Sequence, residues 1–150
     1  MKKILLGLSS ILLISSLATA SEGLVTLKSA HSVKTTADKL VKMLKKKGMT
    51  VFIRIDHEAG AKKVGKILRP TEVIVFGNPK AGTPVMQCSQ SAAIDFPQKA
   101  LIMEDEKGVV TLSYNDPKYI GKRHNIKGCD KVLTKISAIL GKFAKGATSK

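Results

Sequence analysis

The sequence predicts an α+β protein, a two-layer α/β sandwich with elements in the order β-α-β-α-β-α-β-β-α and a C-terminal helix. Three observations carry this. Short strand-like runs alternate with stretches of helical periodicity through most of the chain, which suits separate sheet and helix layers. Near the end, Lys99–Glu104 and Val109–Tyr114 are joined only by the turn Asp105–Gly108, so at least one strand pair must be antiparallel. The length that remains after an N-terminal leader suits one core and is small for a doubly wound sheet.

The leader is legible in its own right. Lys2 and Lys3 precede an apolar run from Ile4 to Leu17, and Ala18-Thr19-Ala20 places small residues at the −3 and −1 positions. These are the parts of a secretory signal peptide cleaved after Ala20. The run is shorter than the about 20 residues that span a bilayer, and no cysteine stands at the cleavage point to take a lipid. The expected organisation is a signal peptide over 1–20 and a single domain over 21–150. The expected destination is periplasmic or secreted, with no transmembrane segment in the mature chain.

The elements follow in order. Leu24, Val25 and Leu27 make a first strand within Gly23–Ser29. Thr35 or Thr36 can cap a helix to about Lys47, in which Ala37, Leu40, Val41 and Leu44 fall on one face. Gly48 supplies its stop. Thr50–Asp56 reads as a strand with Val51, Ile53 and Ile55 on one face and Phe52, Arg54 and Asp56 on the other. Asp56 caps a helix from about Glu58 to Leu68, with Ala61, Val64, Ile67 and Leu68 as its apolar stripe, ended by Arg69-Pro70. Glu72–Phe76 is apolar enough to be buried on both faces. Asn78–Pro84 reads as a loop, Thr83-Pro84 as the start of a helix through Ala93, and Phe96-Pro97 as its break. After the hairpin, Tyr119–Asn125 reads as irregular. A last helix runs from about Cys129 to Phe143, with Gly141–Lys150 as a tail ready to fray.

Charge limits the partners. Full length carries 26 basic and 11 acidic side chains, and without Lys2 and Lys3 the balance is 24 to 11, a net +13. The basic residues are nearly all lysine; only Arg54, Arg69 and Arg123 offer the fork that suits phosphate. An exported, lysine-rich chain argues against nucleic acid and for a solvated surface, an anionic envelope surface or a small anionic ligand. Cys88 and Cys129 form an even pair, which an oxidising compartment would bridge; two free thiols are the alternative.

Candidate chemistry centres on two stretches. Gly77-x4-Gly82 follows a strand and precedes a helix, in the outline of a phosphate-binding loop. The details fail: Thr83-Pro84 stands where Lys-Ser/Thr belongs, and Pro79 and Pro84 remove backbone donors. A plainer anion or carboxylate site using Lys80 and the Thr83 hydroxyl survives. Asp56-His57-Glu58 sets three titratable groups at a strand-to-helix corner, where general acid–base catalysis by His57 with Asp56 or Asp95 is conceivable. Ala61 occupies the place of the second histidine in a zinc-protease helix. His31, His57, His124, Met86, Cys88 and Cys129 show no paired ligand spacing, so no metal or other cofactor is assigned.

Several motifs carry a resemblance. Phe52-x-Arg54-Ile55-Asp56-His57, Ala59-Gly60-Ala61 and Leu68-Arg69-Pro70-Thr71-Glu72 come first. Phe76-Gly77-Asn78-Pro79-Lys80-Ala81-Gly82-Thr83-Pro84, Asp95-Phe96-Pro97 and Glu104…Gly108…Ser113-Tyr114-Asn115-Asp116 complete the order. Together they resemble the domain-of-unknown-function-302 family over about Val51 to Tyr119. The resemblance implies a small α/β sandwich that dimerises, and it implies no activity. Phe96 replaces the leucine usual in the family's Asp-Leu-Pro, and Cys88 stands where a small or polar residue is usual.

The reading that results is an exported, non-catalytic binding domain for a small polar or anionic ligand. Its candidate site combines Asp56, His57, Asn78, Lys80, Thr83 and Asp95 at the ends of two central strands. An enzyme using His57 with a carboxylate and a structural or envelope-interaction protein are the alternatives.

Overall fold

A computed structural model describes residues 23–150; the signal peptide expected over 1–20 lies outside the described residues. The elements are β1 (Leu24–Lys28), α1 (Val33–Lys46), β2 (Thr50–Asp56), α2 (His57–Lys63), β3 (Thr71–Gly77) and α3 (Pro79–Cys88). A 3-10 segment (Gln90–Asp95), β4 (Gln98–Glu104), β5 (Val110–Asn115), α4 (Pro117–Arg123) and α5 (Asp130–Thr148) complete them. The five strands form one sheet in the order β1-β5-β4-β3-β2, with every neighbouring pair antiparallel. The expected α+β sandwich is the one observed.

One face of the sheet makes the core. Ile74 and Phe76 of β3, Ala100 and Ile102 of β4, and Leu112 and Tyr114 of β5 are buried against α1 and α5. From α1 the core receives Val33, Ala37, Leu40 and Leu44, and from α5 Leu133, Ile136, Leu140, Phe143, Ala144 and Ala147, at helical spacing. Their backbones come close at Gly146, where an added Cβ would stand 2.3 Å from the Met43 Cε. Among the described residues the opposite face of the sheet carries no helix layer.

Several boundaries differ from the sequence reading, each for a local reason. Ser32, not Thr35 or Thr36, caps α1, its side chain accepting from the Thr35 N–H at 3.2 Å. β2 bulges at Phe52, where the register moves from Val51 opposite Phe76 to Ile53 opposite Val75. The extra residue breaks strict alternation. Ile53 and Ile55 therefore leave the face of Val51 for the open side, and Arg54 and Asp56 turn toward the helix layer. α2 stops at Lys63 because Gly65 takes φ +68°, so Val64, Ile67 and Leu68 sit exposed in the following connection and not on a helical stripe.

The stretch read as a loop at Asn78–Pro84 is helix. Asn78 caps α3, accepting from the Lys80 N–H at 2.9 Å, with Pro79 in the first turn. Thr83 and Pro84 lie inside α3, so Thr83 caps nothing. Tyr119–Asn125 is mostly α4, capped by Asp116, which accepts from the Lys118 N–H at 2.9 Å. The tail does not fray at Gly141: α5 runs to Thr148, with Ala144, Ala147 and Thr148 buried.

Candidate functional site

The six residues expected to share a pocket are divided between two ends of the sheet. Because β2 and β3 are antiparallel, Thr50 pairs with Gly77 at one end and Asp56 with Glu72 at the other. Asp56 and His57 thus stand about 20 Å from Asn78, Lys80 and Thr83, the length of six strand residues. β2 is also an edge strand, not a central one.

At the Asp56 end the surroundings are acidic. Asp56 accepts from the Ala59 N–H at 2.8 Å and so serves as the cap of α2, while His57 is exposed. A cavity of about 570 Å³ here is lined by Asp56, Glu58, Glu72 and Glu104, with Arg54 and Lys34 opposing them. Arg54 clasps Glu72 through Nε and Nη2, the latter at 3.0 Å from Oε1, and reaches Asp38 on α1 through Nη1. The Glu72 hydrogen bond raises the Arg54 guanidinium above its ordinary range. Hydrogen bonds from Lys34 and then Arg54 hold Asp38 below the usual carboxylate value. With both cations, Arg54 and Lys34, already engaged by carboxylates, this end disfavours an anion. No group of His, Cys, Asp and Glu fit to hold a metal occurs among the described residues.

Asp95 is buried and engaged elsewhere. It accepts from Arg123 Nη1 at 3.0 Å and lies 2.7 Å from His124 Nε2. The structure therefore does not bring His57 to Asp95. His124, which the sequence offered only as one scattered metal ligand, is its partner. No spacing signal could have paired two residues 29 positions apart.

At the Asn78 end a groove of about 650 Å³ opens between the end of α1, the first turns of α3 and the outer side of α5. Met43, Met49, Ala81, Pro84, Val132, Ile136, Ile139 and Phe143 make an apolar floor, and Lys47, Lys80, Lys135, Lys142 and Asn78 the rim. Among the described residues no carboxylate lines it. Sequence spacing builds it: Val132, Ile136, Ile139 and Phe143 recur at helical intervals, and Lys135 and Lys142 flank that stripe one heptad apart. Asn78 Nδ2 donates to the Gly48 carbonyl at 3.2 Å, tying the start of α3 to the turn that ends α1. Thr83 does not line this groove. Behind it, Cys88 at the end of α3 and Cys129 before α5 lie at disulfide distance, their Cα atoms 6.5 Å apart.

These features define a two-layer α+β domain with a basic-rimmed apolar groove at one end of its sheet. The chain belongs to the DUF302 family, a domain of unknown function, whose profile matches residues 25–143. A solved structure of an uncharacterized conserved DUF302 protein from Bacillus stearothermophilus shares the fold, with a TM-score of 0.76 at 15% identity over 85% of this chain and 99% of that one. Two curated relatives are each named Fluoride-specific ion channel FluC 1, from Brucella suis biovar 1 and Brucella abortus biovar 1. Both are 47% identical over 104 residues, which is 69% of this chain but 41% and 38% of theirs. This chain thus spans about two fifths of those relatives. Among its described residues no helix is long and apolar enough to cross a membrane.

Proposed function

We propose that the protein is an exported binding domain whose ligand is an amphipathic carboxylate, an acyl chain ending in an anionic head. The observation that carries this is the composition of the groove: eight apolar residues below, four lysines above and no carboxylate among its lining residues. Its volume lies in the range of small-molecule sites. Ile139 is more than a third exposed there, apolar surface that a chain would cover. Each methylene buried contributes about 0.8 kcal/mol, roughly fourfold in Kd. The lysines are well-hydrated point charges, so their part is orientation and attraction more than tight pairing.

Titration calorimetry with dodecanoate, dodecanol and acetate tests the reading. Dodecanoate should bind most tightly, since dodecanol lacks the charge and acetate the chain. Ile139→Asp should weaken dodecanoate, and Lys135→Glu with Lys142→Glu should weaken it further at low salt. Equal binding of acetate and dodecanoate, or no effect of Ile139→Asp, would sink it. The same lysines, with the net charge of the chain, favour an anionic envelope surface as the place where such a ligand is met.

A second reading concerns the open sheet face, and its occupant is a second copy of this chain. Phe52, Ile53 and Met103 are exposed on that side, 55%, 51% and 38% respectively, with Val73, Val75 and Leu101 beside them. Five strands at about 4.8 Å by about 20 Å give roughly 480 Å² of flat face, and the relief of side chains raises this toward the about 800 Å² per partner of a standard interface. Sedimentation velocity should find a dimer that Ile53→Lys dissociates. A wild-type monomer at high micromolar concentration would refute it.

A further inference from the structure

Neither the groove nor the open face uses the hydrogen-bonded chain Ser91–His124–Asp95. Asp95 closes the 3-10 segment, with a side chain 9% exposed, and its two oxygens meet Arg123 Nη1 and His124 Nε2. The His124 side chain is 8% exposed. On the other side of the ring, Nδ1 lies 3.0 Å from Ser91 Oγ. Ser91 itself is exposed.

The chain of partners favours one arrangement of the protons. A carboxylate bound by a guanidinium offers only lone pairs, so the hydrogen of the bond to His124 sits on Nε2. When the ring is neutral the lone pair is on Nδ1, and the Ser91 hydroxyl, which also lies 3.1 Å from Ser89 Oγ, can donate to it. A nucleophile, a base and a group that orients the base stand in hydrogen-bond reach of one another. The two segments are also fastened together. Cys88 lies three residues before Ser91 and Cys129 five after His124, and these two cysteines are the pair at disulfide distance. Ser89 Oγ adds a hydrogen bond to the His124 carbonyl at 3.3 Å.

We propose that Ser91 is an activated nucleophile for acyl transfer from small, unhindered esters, with His124 as general base and Asp95 as its positioning residue. Ser91 Oγ attacks the ester carbonyl carbon while its proton passes to Nδ1. The tetrahedral adduct collapses, the bond to the alkoxy oxygen breaks, and the alcohol leaves with the proton from Nδ1. A water then attacks the acyl-Ser91 carbonyl and gives its proton to Nδ1. Ser91 Oγ leaves, recovers that proton, and the carboxylic acid is released. Because Ser91 is exposed, a small ester such as an acetate ester can reach it without an enclosed pocket. This step uses none of the groove residues and is independent of the groove reading.

The test treats the full chain with p-nitrophenyl acetate and follows nitrophenolate release together with peptide mass spectrometry. The expected result is acetyl on Ser91, formed on the order of 100-fold faster or more than on exposed Ser149 of the same molecule. Ser91→Ala should abolish that acetylation while keeping the melting temperature. His124→Gln should slow it by about 10²–10⁴-fold, and Asp95→Asn should slow it because the ring loses its fixed tautomer. If Ser91 is acetylated no faster than Ser149, the proposal is overturned. The internal ratio decides the matter even where the His124 or Asp95 variants fail to fold. An unchanged rate in a folded His124→Gln chain would overturn it equally.

Discussion

Arg54→Met should destabilise the domain by about 2 kcal/mol, an effect that follows from the bulge at Phe52. The bulge turns Arg54 to the helix side, where it binds both oxygens of Glu72 and one of Asp38. The Glu72 side chain is only 11% exposed and that of Arg54 33%. Removing one member of a buried pair costs about 3–5 kcal/mol because a charge is stranded, whereas exposed pairs contribute about 0–1 kcal/mol. Arg54 is a third open to solvent, which places its loss between these ranges. For a domain of this size, 2 kcal/mol lowers Tm by roughly 8 °C. Urea denaturation and calorimetry at pH 7 would measure both quantities. The double variant Arg54→Met with Glu72→Leu should recover more than half of the loss, since no charge is then stranded. A single variant within 0.5 kcal/mol of wild type, or a double variant as unstable as the two losses added, would refute the reasoning.

Reduction of the Cys88–Cys129 pair should lower stability by up to about 4 kcal/mol, the chain-entropy value for a separation of 41 residues; denaturation with and without reductant reads it. The contributions of Asp38 and Asp105 should be lost as pH falls below the ordinary aspartate value of 3.8. Asp38 is held low by Lys34 and Arg54, and Asp105 by the Val109 N–H and then the Lys107 N–H. Lowered groups contribute above the unfolded value and lose that contribution as pH falls through the folded one. Asp105→Asn should therefore flatten the acid limb of a Tm-against-pH curve by lowering its neutral plateau toward the acid values. Gly23→Ala should be strongly destabilising, because Gly23 has φ +85° and a Cβ there would stand 2.6 Å from the Tyr119 ring; a fall in Tm under 3 °C would contradict this.

What the sequence made legible was whatever depends on near neighbours. The β4–β5 hairpin was readable to within a residue because Asp105–Gly108 leaves the chain no room to do otherwise. The apolar stripes of α1 and α5 were readable because helical spacing is a local property. Asn78 as the cap of α3 was missed because Thr83-Pro84 is also a good start signal, and the two differ by only five residues. The bulge at Phe52 left no mark in composition, yet it decides which face Arg54 joins. Asp95 was read as a partner for His57, but its partners Arg123 and His124 come from a distant segment.

Strand direction is what remade the candidate site. Reading β2, α2 and β3 as alternating units invites a parallel pair, which would deliver Asp56 and Asn78 to the same edge. A parallel crossover needs a connecting helix that packs on the sheet. α2 is seven residues long and buries none of them, so the chain turns back and β3 runs antiparallel. That return separates charge along the length of the sheet. Asp56, Glu58, Glu72 and Glu104 gather at one end, and Lys47, Lys80, Lys135 and Lys142 at the other. A single anion-binding site drawing on both His57 and Lys80 is thereby ruled out by about 20 Å of sheet. Of these two ends the lysine end combines positive charge with an apolar floor, so Asn78 and Lys80 are the members of the expected set that line the groove proposed as the site, and the ligand proposed for it has a hydrophobic body.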